Sequence, residues 1–362
     1  MIIVTFLPLQ SSFDVDCALK FRRHQLEFYT QNMDNVFPDE IFQQIFRYTT
    51  PVDLFRGFYN LNSRLNRIIC EVRIHLRHEY TADESHFVLP NLHPKQIRSF
   101  YVREDKYQYP HLHECSNIRE LTFSWSSQDE SDRVRHPQLV LIQPGNFPHL
   151  TSLTISKQSG TSEYYRLCMM ILGNQFPFLK HVYLPYANGH HNLASIRTWS
   201  TALTSVTIEC CNRSMLYPLL DNLPNLRSFK CEPGTSSGGS LTNQRLAMKD
   251  FVLTNYDEET QHVMMTMSEI ESLFRHFPNL EFTLLLLGRS GSLDEALRSL
   301  NAILSHCPKL TRVDCYMKYS GRDCSLERFH RVKDQYPLFR DYEGCAWNER
   351  PGMGWRCRIR KG

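Results

Sequence analysis

Apolar residues recur along most of the chain in one triplet, Leu-x-x-Leu-x-Leu or a close variant, and several copies follow an aromatic-Pro pair. A clear copy, Leu150, Leu153 and Ile155, follows Phe147-Pro148. The last two positions of each triplet are two residues apart, which is the spacing of side chains on one face of a strand. We therefore predict a short strand at each copy. The nine copies begin at positions 97, 118, 150, 179, 203, 226, 248, 280 and 310.

Segments between several of these triplets carry the apolar stripe of an amphipathic helix. The triplets begin 21 to 32 residues apart. One such unit cannot bury its own apolar face, so neighbouring units must stack. The unit resembles the leucine-rich repeat, whose period is about 20–29 residues. The resemblance implies an α/β solenoid with short parallel strands on the concave face and helices on the convex face.

Helix starts are visible within this repeat region as Ser-x-x-Glu sequences. In a capping box, the Ser hydroxyl accepts a bond from a backbone N–H three residues on, and the Glu carboxylate bonds back to the Ser N–H. We predict such boxes at Ser268 with Glu271 and at Ser292 with Glu295.

Residues 36–70 have a different pattern, with helix signals placed close together. Pro38 precedes two carboxylates and suits the first turn of a helix, because its fixed φ is helical and the carboxylates favour the positive end of the helix dipole. Thr50 before Pro51 predicts a second helix start, at which Thr50 is the cap and the Asp53 side chain reaches back as in a capping box. A third short helix carries Leu65. We predict a three-helix module.

This module resembles the F-box. The resemblance is carried by Phe-Pro-Asp-Glu-Ile at 37–41, Pro-Val-Asp-Leu at 51–54 and Arg-Leu-Asn-Arg-Ile at 64–68. Phe37 replaces the usual leucine, and the third helix has Asn-Ser-Arg-Leu at 62–65 where many members carry a Cys, a basic residue and a Trp. These departures concern the strength of adaptor binding more than the fold.

The resemblance implies that the module docks on a Skp-type adaptor and through it on a cullin–RING ubiquitin ligase. The chain would then be a substrate receptor that carries out no bond chemistry itself, and we expect no enzyme activity. The residues at the matching positions are expected either to face the adaptor or to hold the three helices together, with half or more of them in the second role: Pro38, Ile41, Ile45, Pro51, Val52, Leu54 and Leu65.

A protein substrate of unknown identity is expected on the concave sheet, where residues between the buried strand positions point outward. These residues are mixed in charge and type, so the sequence does not indicate a substrate class. The expected substrate-facing residues are His181, Tyr183, Thr207, Glu209, Lys230, Arg312, Asp314 and Tyr316.

The predicted organisation has four parts: a leader at 1–32, disordered or preceding an alternative start at Met33; the helical module at 33–75; the repeats at 76–340; and a C-terminal cap with a basic tail at 341–362. The net charge of +3 is spread along the chain, which does not favour nucleic-acid binding. We interpret the final basic run, from Arg356 to Lys361, as solvated.

The remaining composition points to a reduced cellular compartment. Twelve cysteines are scattered without a CxxC pair, and the apolar start of the chain lacks a charged n-region and is too short to span a bilayer. We expect free thiols, a cytoplasmic or nuclear protein, and no membrane partner, cofactor or metal. His111, His113 and Cys115 alternate but lack the paired spacing of a zinc site.

An alternative hypothesis keeps the repeats and drops the ligase. In it the chain is a leucine-rich-repeat scaffold that binds a protein ligand without any adaptor, an idea motivated by the irregular third helix.

Overall fold

A computed structural model of the chain contains two compact units, divided after Phe100. The predicted leader lies outside the described residues. The structure describes residues 37–76, 88–103, 112–124, 137–156, 161–187, 193–234, 239–255, 265–290, 292–319, 326–340, 342–348 and 355–360.

The first unit contains three helices and a parallel strand pair. The helices are α1 (Asp39–Tyr48), α2 (Pro51–Phe58) and α3 (Ser63–Glu71). They are followed by β1 (Ile74–Leu76), which pairs in parallel with the start of β2 (Ile97–Arg103). The three predicted helices are present, whereas β1 was not predicted from the sequence.

Side-chain caps fix the starts of α2 and α3. The Thr50 hydroxyl accepts a bond from the Asp53 N–H at 3.1 Å, as predicted. The Asn62 side chain does the same for the Leu65 N–H at 2.7 Å. Each cap satisfies a backbone N–H that has no partner within its helix. Two polar side chains therefore set where these short helices begin.

The helices enclose a small core of aromatic and aliphatic residues. Phe42 and Phe46 of α1 are buried, and the Phe46 ring lies 5.0 Å from that of Phe58. Gln96 is also buried, and its Nε2 donates to the carbonyls of Ile69 at 2.5 Å and Val72 at 3.3 Å. The last carbonyls of a helix need partners, so Gln96 ties the end of α3 to β2.

The second unit is built on parallel strands in chain order. From β3 to β10 each strand pairs in parallel with the next, and opposite residues share a face, as Val206 does with Val182 and Phe229. This order is consistent with a solenoid. The strands are β3 (Glu120–Ser124), β4 (Ser152–Ser156), β5 (His181–Ala187), β6 (Ser205–Cys211), β7 (Ser228–Pro233), β8 (Asp250–Thr254), β9 (Phe282–Ser290) and β10 (Arg312–Tyr319).

The nine predicted triplets fall at the strands β2 to β10. Every residue of every triplet is buried, including Thr283, which occupies a core position. The Thr283 hydroxyl donates to the Phe251 carbonyl at 2.9 Å, so this buried polar group is satisfied. The triplet prediction is confirmed, and the fold class is α/β with a parallel sheet.

The connections between strands differ more than the sequence suggested. Among the described residues, the link from β5 to β6 contains only a 3-10 helix at Leu193–Ser195, and the link from β7 to β8 contains turns. The second of these links includes the Gly- and Ser-rich residues 234–240, whose composition disfavours a helix. Helices are α4 (Ser162–Leu172), α5 (Arg213–Asn222), α6 (Met267–Phe274), α7 (Leu293–Ser305) and, after β10, α8 (Leu326–Lys333).

One of the two predicted capping boxes is wrong by two residues. At the other, Ser292 caps α7 by accepting from the Glu295 N–H at 3.2 Å, which is the first of the two bonds of the predicted box. In α6 the box is formed by Thr266 with Glu269. The buried Asn255 side chain exchanges bonds with the Met265 backbone at 2.6 and 2.7 Å, which fixes the chain just before Thr266. The cap therefore falls on Thr266.

The C-terminal residues continue the sheet with two antiparallel strands. These are β11 (Glu343–Asn348) and β12 (Trp355–Arg360), in the order β10-β12-β11. Three residues of the basic run that we interpreted as solvated, Arg356, Arg358 and Arg360, therefore lie in a strand: Arg358 is opposite Tyr316 and Arg360 is opposite Asp314.

A buried lysine organises the turn before β11. The Lys333 ammonium, at the end of α8, donates to the carbonyls of Phe339 at 2.9 Å, Tyr342 at 2.7 Å and Arg340 at 3.4 Å. A buried charge is tolerated when its hydrogen-bonding capacity is satisfied in this way. Lys333 thus holds the segment that leads into the final strands.

Replacing Lys333 by Met is expected to lower the free energy of unfolding by about 1–3 kcal/mol, because buried carbonyls lose their donor. Hydrogen exchange in peptides covering 326–348 should accelerate first. Lys309→Met changes an exposed lysine and is the control. It should leave the free energy of unfolding and the hydrogen exchange of these peptides near their wild-type values. Equal exchange in the two variants would contradict the role given to Lys333.

Candidate binding surfaces

The first candidate surface is an apolar stripe on α1. Ile41 is 38% exposed, Ile45 is 44% exposed and Tyr48 is 92% exposed, at the spacing of one helix face. Phe37, just before the helix, is also exposed. We call these four residues the α1 stripe. Phe42 and Phe46 occupy the other face, in the core, so the helix is apolar on both sides, and exposed apolar groups of this kind mark interaction sites.

The predicted adaptor residues divide between surface and core. Pro38, Ile41 and Ile45 are exposed, and Pro51 is half-buried. The remaining residues, Val52, Leu54 and Leu65, are buried and hold the helices together. Phe37 and Tyr48 were not among the predicted set, although the i, i+4, i+7 spacing from Ile41 would have identified Tyr48.

Ion pairs between α1 and α3 fix the orientation of the stripe. The Asp39 carboxylate accepts a bond from Arg64 Nε at 2.7 Å and pairs with Arg67 at 2.8 Å. Arg64 also donates to the Phe37 carbonyl at 2.7 Å and lies 5.6 Å from the centroid of the Phe42 ring. The bond from Arg64 is the main reason that the pKa of Asp39 lies below its ordinary value.

Asp39→Asn should loosen α1 against α3 at neutral pH. A carboxyl group whose pKa is depressed by folding stabilises the native state above its ordinary pKa of about 3.9, and this contribution is lost as the pH falls through the lowered value. Hydrogen exchange of peptides covering 39–71, corrected for intrinsic rates, should differ between variant and wild type at pH 7 and converge in acid. A difference that persists unchanged below pH 3 would contradict this account.

The second candidate surface is the outward face of β3 to β10. On each strand, residues that alternate with the buried triplet positions lie on this face, which we call the open face. The register places Tyr183, Thr207 and Lys230 side by side on β5, β6 and β7. His181 and Glu209 lie on the same strands, two residues away. Five of the predicted substrate residues are therefore brought together.

The other three predicted substrate residues form a separate group on β10. Arg312, Asp314 and Tyr316 lie five strands from β5, which is about 24 Å at the usual strand spacing. Arg312 pairs with Asp314 at 3.1 Å and lies 4.9 Å from the centroid of the Phe282 ring. Asp314 is buried. The guanidinium is therefore engaged within the chain.

Polar contacts also constrain the first group. The Tyr183 hydroxyl donates to Glu209 Oε1 on the neighbouring strand. Burial and then this bond raise the pKa of Tyr183 to about 12, so the phenol stays neutral and remains a donor to Glu209. Lys230 is exposed. In the described part of the chain no ion pair includes it.

Four apolar residues between the two groups were missed in the sequence. Val252 on β8 and Phe282, Leu284 and Leu286 on β9 lie on the open face, each half-buried. We call them the apolar patch. The sequence around β9 is apolar at almost every position, so alternation alone cannot assign a face. Thr283 could have assigned the face, because it occupies a buried triplet position and its neighbours Phe282 and Leu284 must therefore point outward.

Several buried cysteines disfavour the reactive thiolate. Eight of the cysteines in the described residues are free, and burial raises the pKa of Cys168 to about 12 and that of Cys115 to about 11. Within the same residues no three His, Cys, Asp or Glu side chains converge as metal ligands. His111, considered above as part of a metal motif, lies outside them.

No protein-family model matches the chain, and no curated protein is significantly similar to it in sequence. The helices in the described ranges are all too short or too polar to cross a bilayer. Function has to be inferred from the motifs and from the two surfaces.

Proposed function

We propose that this chain is the substrate-recognition subunit of a cullin–RING ubiquitin ligase. In this proposal α1 to α3 are an F-box that docks on a Skp-type adaptor, and the strands from β2 onward are leucine-rich repeats whose concave face binds a protein substrate. The observation that carries the proposal is the α1 stripe, an exposed apolar helix face within the segment whose sequence resembles an F-box.

The energetics favour a partner for this helix. Burying apolar area contributes roughly 25 cal/mol per Å², and the four side chains of the α1 stripe remain partly or largely in water. Covering them would contribute on the order of 1 kcal/mol or more for each residue. The Asp39–Arg64 pair already fixes the helix, so little ordering is needed on binding.

A receptor of this kind needs no catalytic group. Its contribution is to raise the local concentration of substrate lysines near the ubiquitin-conjugating enzyme, which converts an encounter between two molecules into a reaction within one assembly. The open face, with polar residues on β5 to β7 and the apolar patch on β8 and β9, offers a surface for a protein segment. A cytoplasmic or nuclear location would suit this role.

A second candidate is a protein-binding scaffold without any ligase. It is favoured by the burial of Val52, Leu54 and Leu65, since these family-matching positions serve the core whether or not an adaptor binds. The two candidates share the open face and differ only in the α1 stripe.

If the α1 stripe binds the adaptor, negative charges introduced into the stripe should weaken that binding. Ile41→Asp combined with Ile45→Asp should weaken binding of the full chain to a Skp-type adaptor by at least about tenfold, because two carboxylates would have to be desolvated at the interface. The measurement is isothermal titration calorimetry. Leu246→Asp is the matched control: Leu246 is 62% exposed and lies in the second unit.

Wild-type chain that gives no heat with the adaptor would exclude the ligase role and leave the scaffold. If the double variant binds the adaptor as tightly as wild type does, the α1 stripe is not part of the adaptor interface. Melting curves for all three proteins should coincide, since the changed side chains are exposed.

A further inference from the structure

The apolar patch is confined to one part of the open face. On β4, β6 and β7 the outward residues are polar, as at Thr154, Thr207 and Ser228. On β9, three successive outward positions are apolar. The register places Leu284 beside Val252 and places Phe282 beside Asp250. The patch is therefore a continuous apolar area across two strands, next to a polar area.

The apolar residues of the patch are not expected on a strand face that is only in contact with solvent. Half-buried strand faces normally alternate apolar-in and polar-out, and β9 departs from that pattern while its inward residues Thr283, Leu285 and Leu287 are buried. Contiguous apolar area on an outward face marks an interaction site. The patch thus indicates a surface that is covered when the protein acts.

The charge beside the patch is negative. The open-face positions of β6 to β8 carry the carboxylates of Glu209, Glu232 and Asp250 and a single cation, Lys230. Three carboxylates face one ammonium, so this side of the patch attracts cations. A partner that covers the patch and extends toward β6 would be favoured if it carried Lys or Arg.

Asp250 is the carboxylate of this group that lies next to the apolar patch. It lies beside Phe282 in the register, and burial, followed by the nearby Glu281 carboxylate, raises its pKa above the ordinary value. Lys249 is close but pairs with Glu281 at 2.5 Å. A cation supplied by a partner would stabilise the charged form of Asp250 and would be partly shielded from solvent by the patch.

On the other side of the patch, the Arg312 guanidinium already has partners. It pairs with Asp314 and lies over the Phe282 ring, at one edge of the patch. The chemistry of the occupant is therefore set by the patch and by the carboxylates of β6 to β8.

We propose that the open face binds an extended protein segment that inserts two apolar side chains at the apolar patch and places a Lys or Arg beside Asp250. Adjacent strands are about 4.8 Å apart, and residues along a strand are about 3.3 Å apart. Asp250 lies one strand and two residues from Leu284, because Leu284 is beside Val252. The span from Leu284 to Asp250 is therefore about 8 Å, the length of two or three extended residues. The pattern predicted for the segment is two apolar residues with a basic residue two or three positions away. This inference rests on the proposed role of the open face in binding protein, and it is independent of the adaptor.

The test uses the full-length chain without adaptor and a displayed library of random 12-residue peptides. Selection should enrich peptides that combine two apolar residues with a nearby Lys or Arg. One enriched peptide is then synthesised with a fluorophore, and its affinity is measured by anisotropy. Leu284→Ser should weaken binding by about tenfold or more, whereas Leu246→Ser, an exposed leucine outside the open face, should have no effect.

Charge neutralisation gives the second readout. Asp250→Asn should weaken binding several-fold and reduce its dependence on salt, since the attraction is screened by ions. Glu327→Gln is the control, because Glu327 is an exposed acid on α8. Both amide variants keep side-chain shape, so melting temperatures should stay near wild type.

Several results would overturn the inference. These are enrichment of acidic peptides, failure of any peptide to enrich, affinity unchanged by Leu284→Ser, or self-association of the chain that depends on Leu284. None of them concerns the α1 stripe, so adaptor binding measured on the same preparation separates failure of this inference from failure of the ligase role.

Discussion

The structure depends on stacking of apolar strand residues between neighbouring repeats. No single unit of this chain can bury its own triplet, because a strand of five to nine residues has too little area to form a core. The register from β3 to β10 places triplet residues against those of the next strand, as Val206 lies between Val182 and Phe229. The same backbone bonds recur at each step: Ser205 N–H donates to the Lys180 carbonyl, and Ser228 N–H donates to the Thr204 carbonyl. A uniform ladder of this kind leaves the opposite face of every strand available for other chemistry.

Each candidate surface consists of apolar residues at positions that face solvent, where polar residues are usual. On α1 the apolar residues extend around to the solvent side, and the ion pairs of Asp39 hold that side in place. On β9 the outward positions are apolar where β4, β6 and β7 carry polar groups. In both cases the apolar residues remain partly exposed beside a buried core. They are therefore available to a partner.

The sequence was sufficient to predict features that depend on local spacing. The nine triplets and the Thr50 cap are examples, because each is set by residues within a few positions of one another. Features that depend on pairing between strands far apart in the sequence could not be predicted from it. β1 has only three residues and is defined by its pairing with β2, and β12 joins the sheet by lying antiparallel to β10. The cap of α6 fell on Thr266 because Asn255, eleven positions earlier, holds the preceding residue. The outward position of Leu284 is different, because the triplet position of Thr283 in the sequence already indicates it.

The central claim is that one chain carries an adaptor-docking helix face and a repeat surface for protein binding. Its most direct test is size-exclusion chromatography with light scattering on the full chain mixed with a preassembled Skp-type adaptor and cullin–RING complex. The account predicts a single peak whose mass equals one copy of each component. Elution of the chain at its own mass, separate from the ligase, would contradict it.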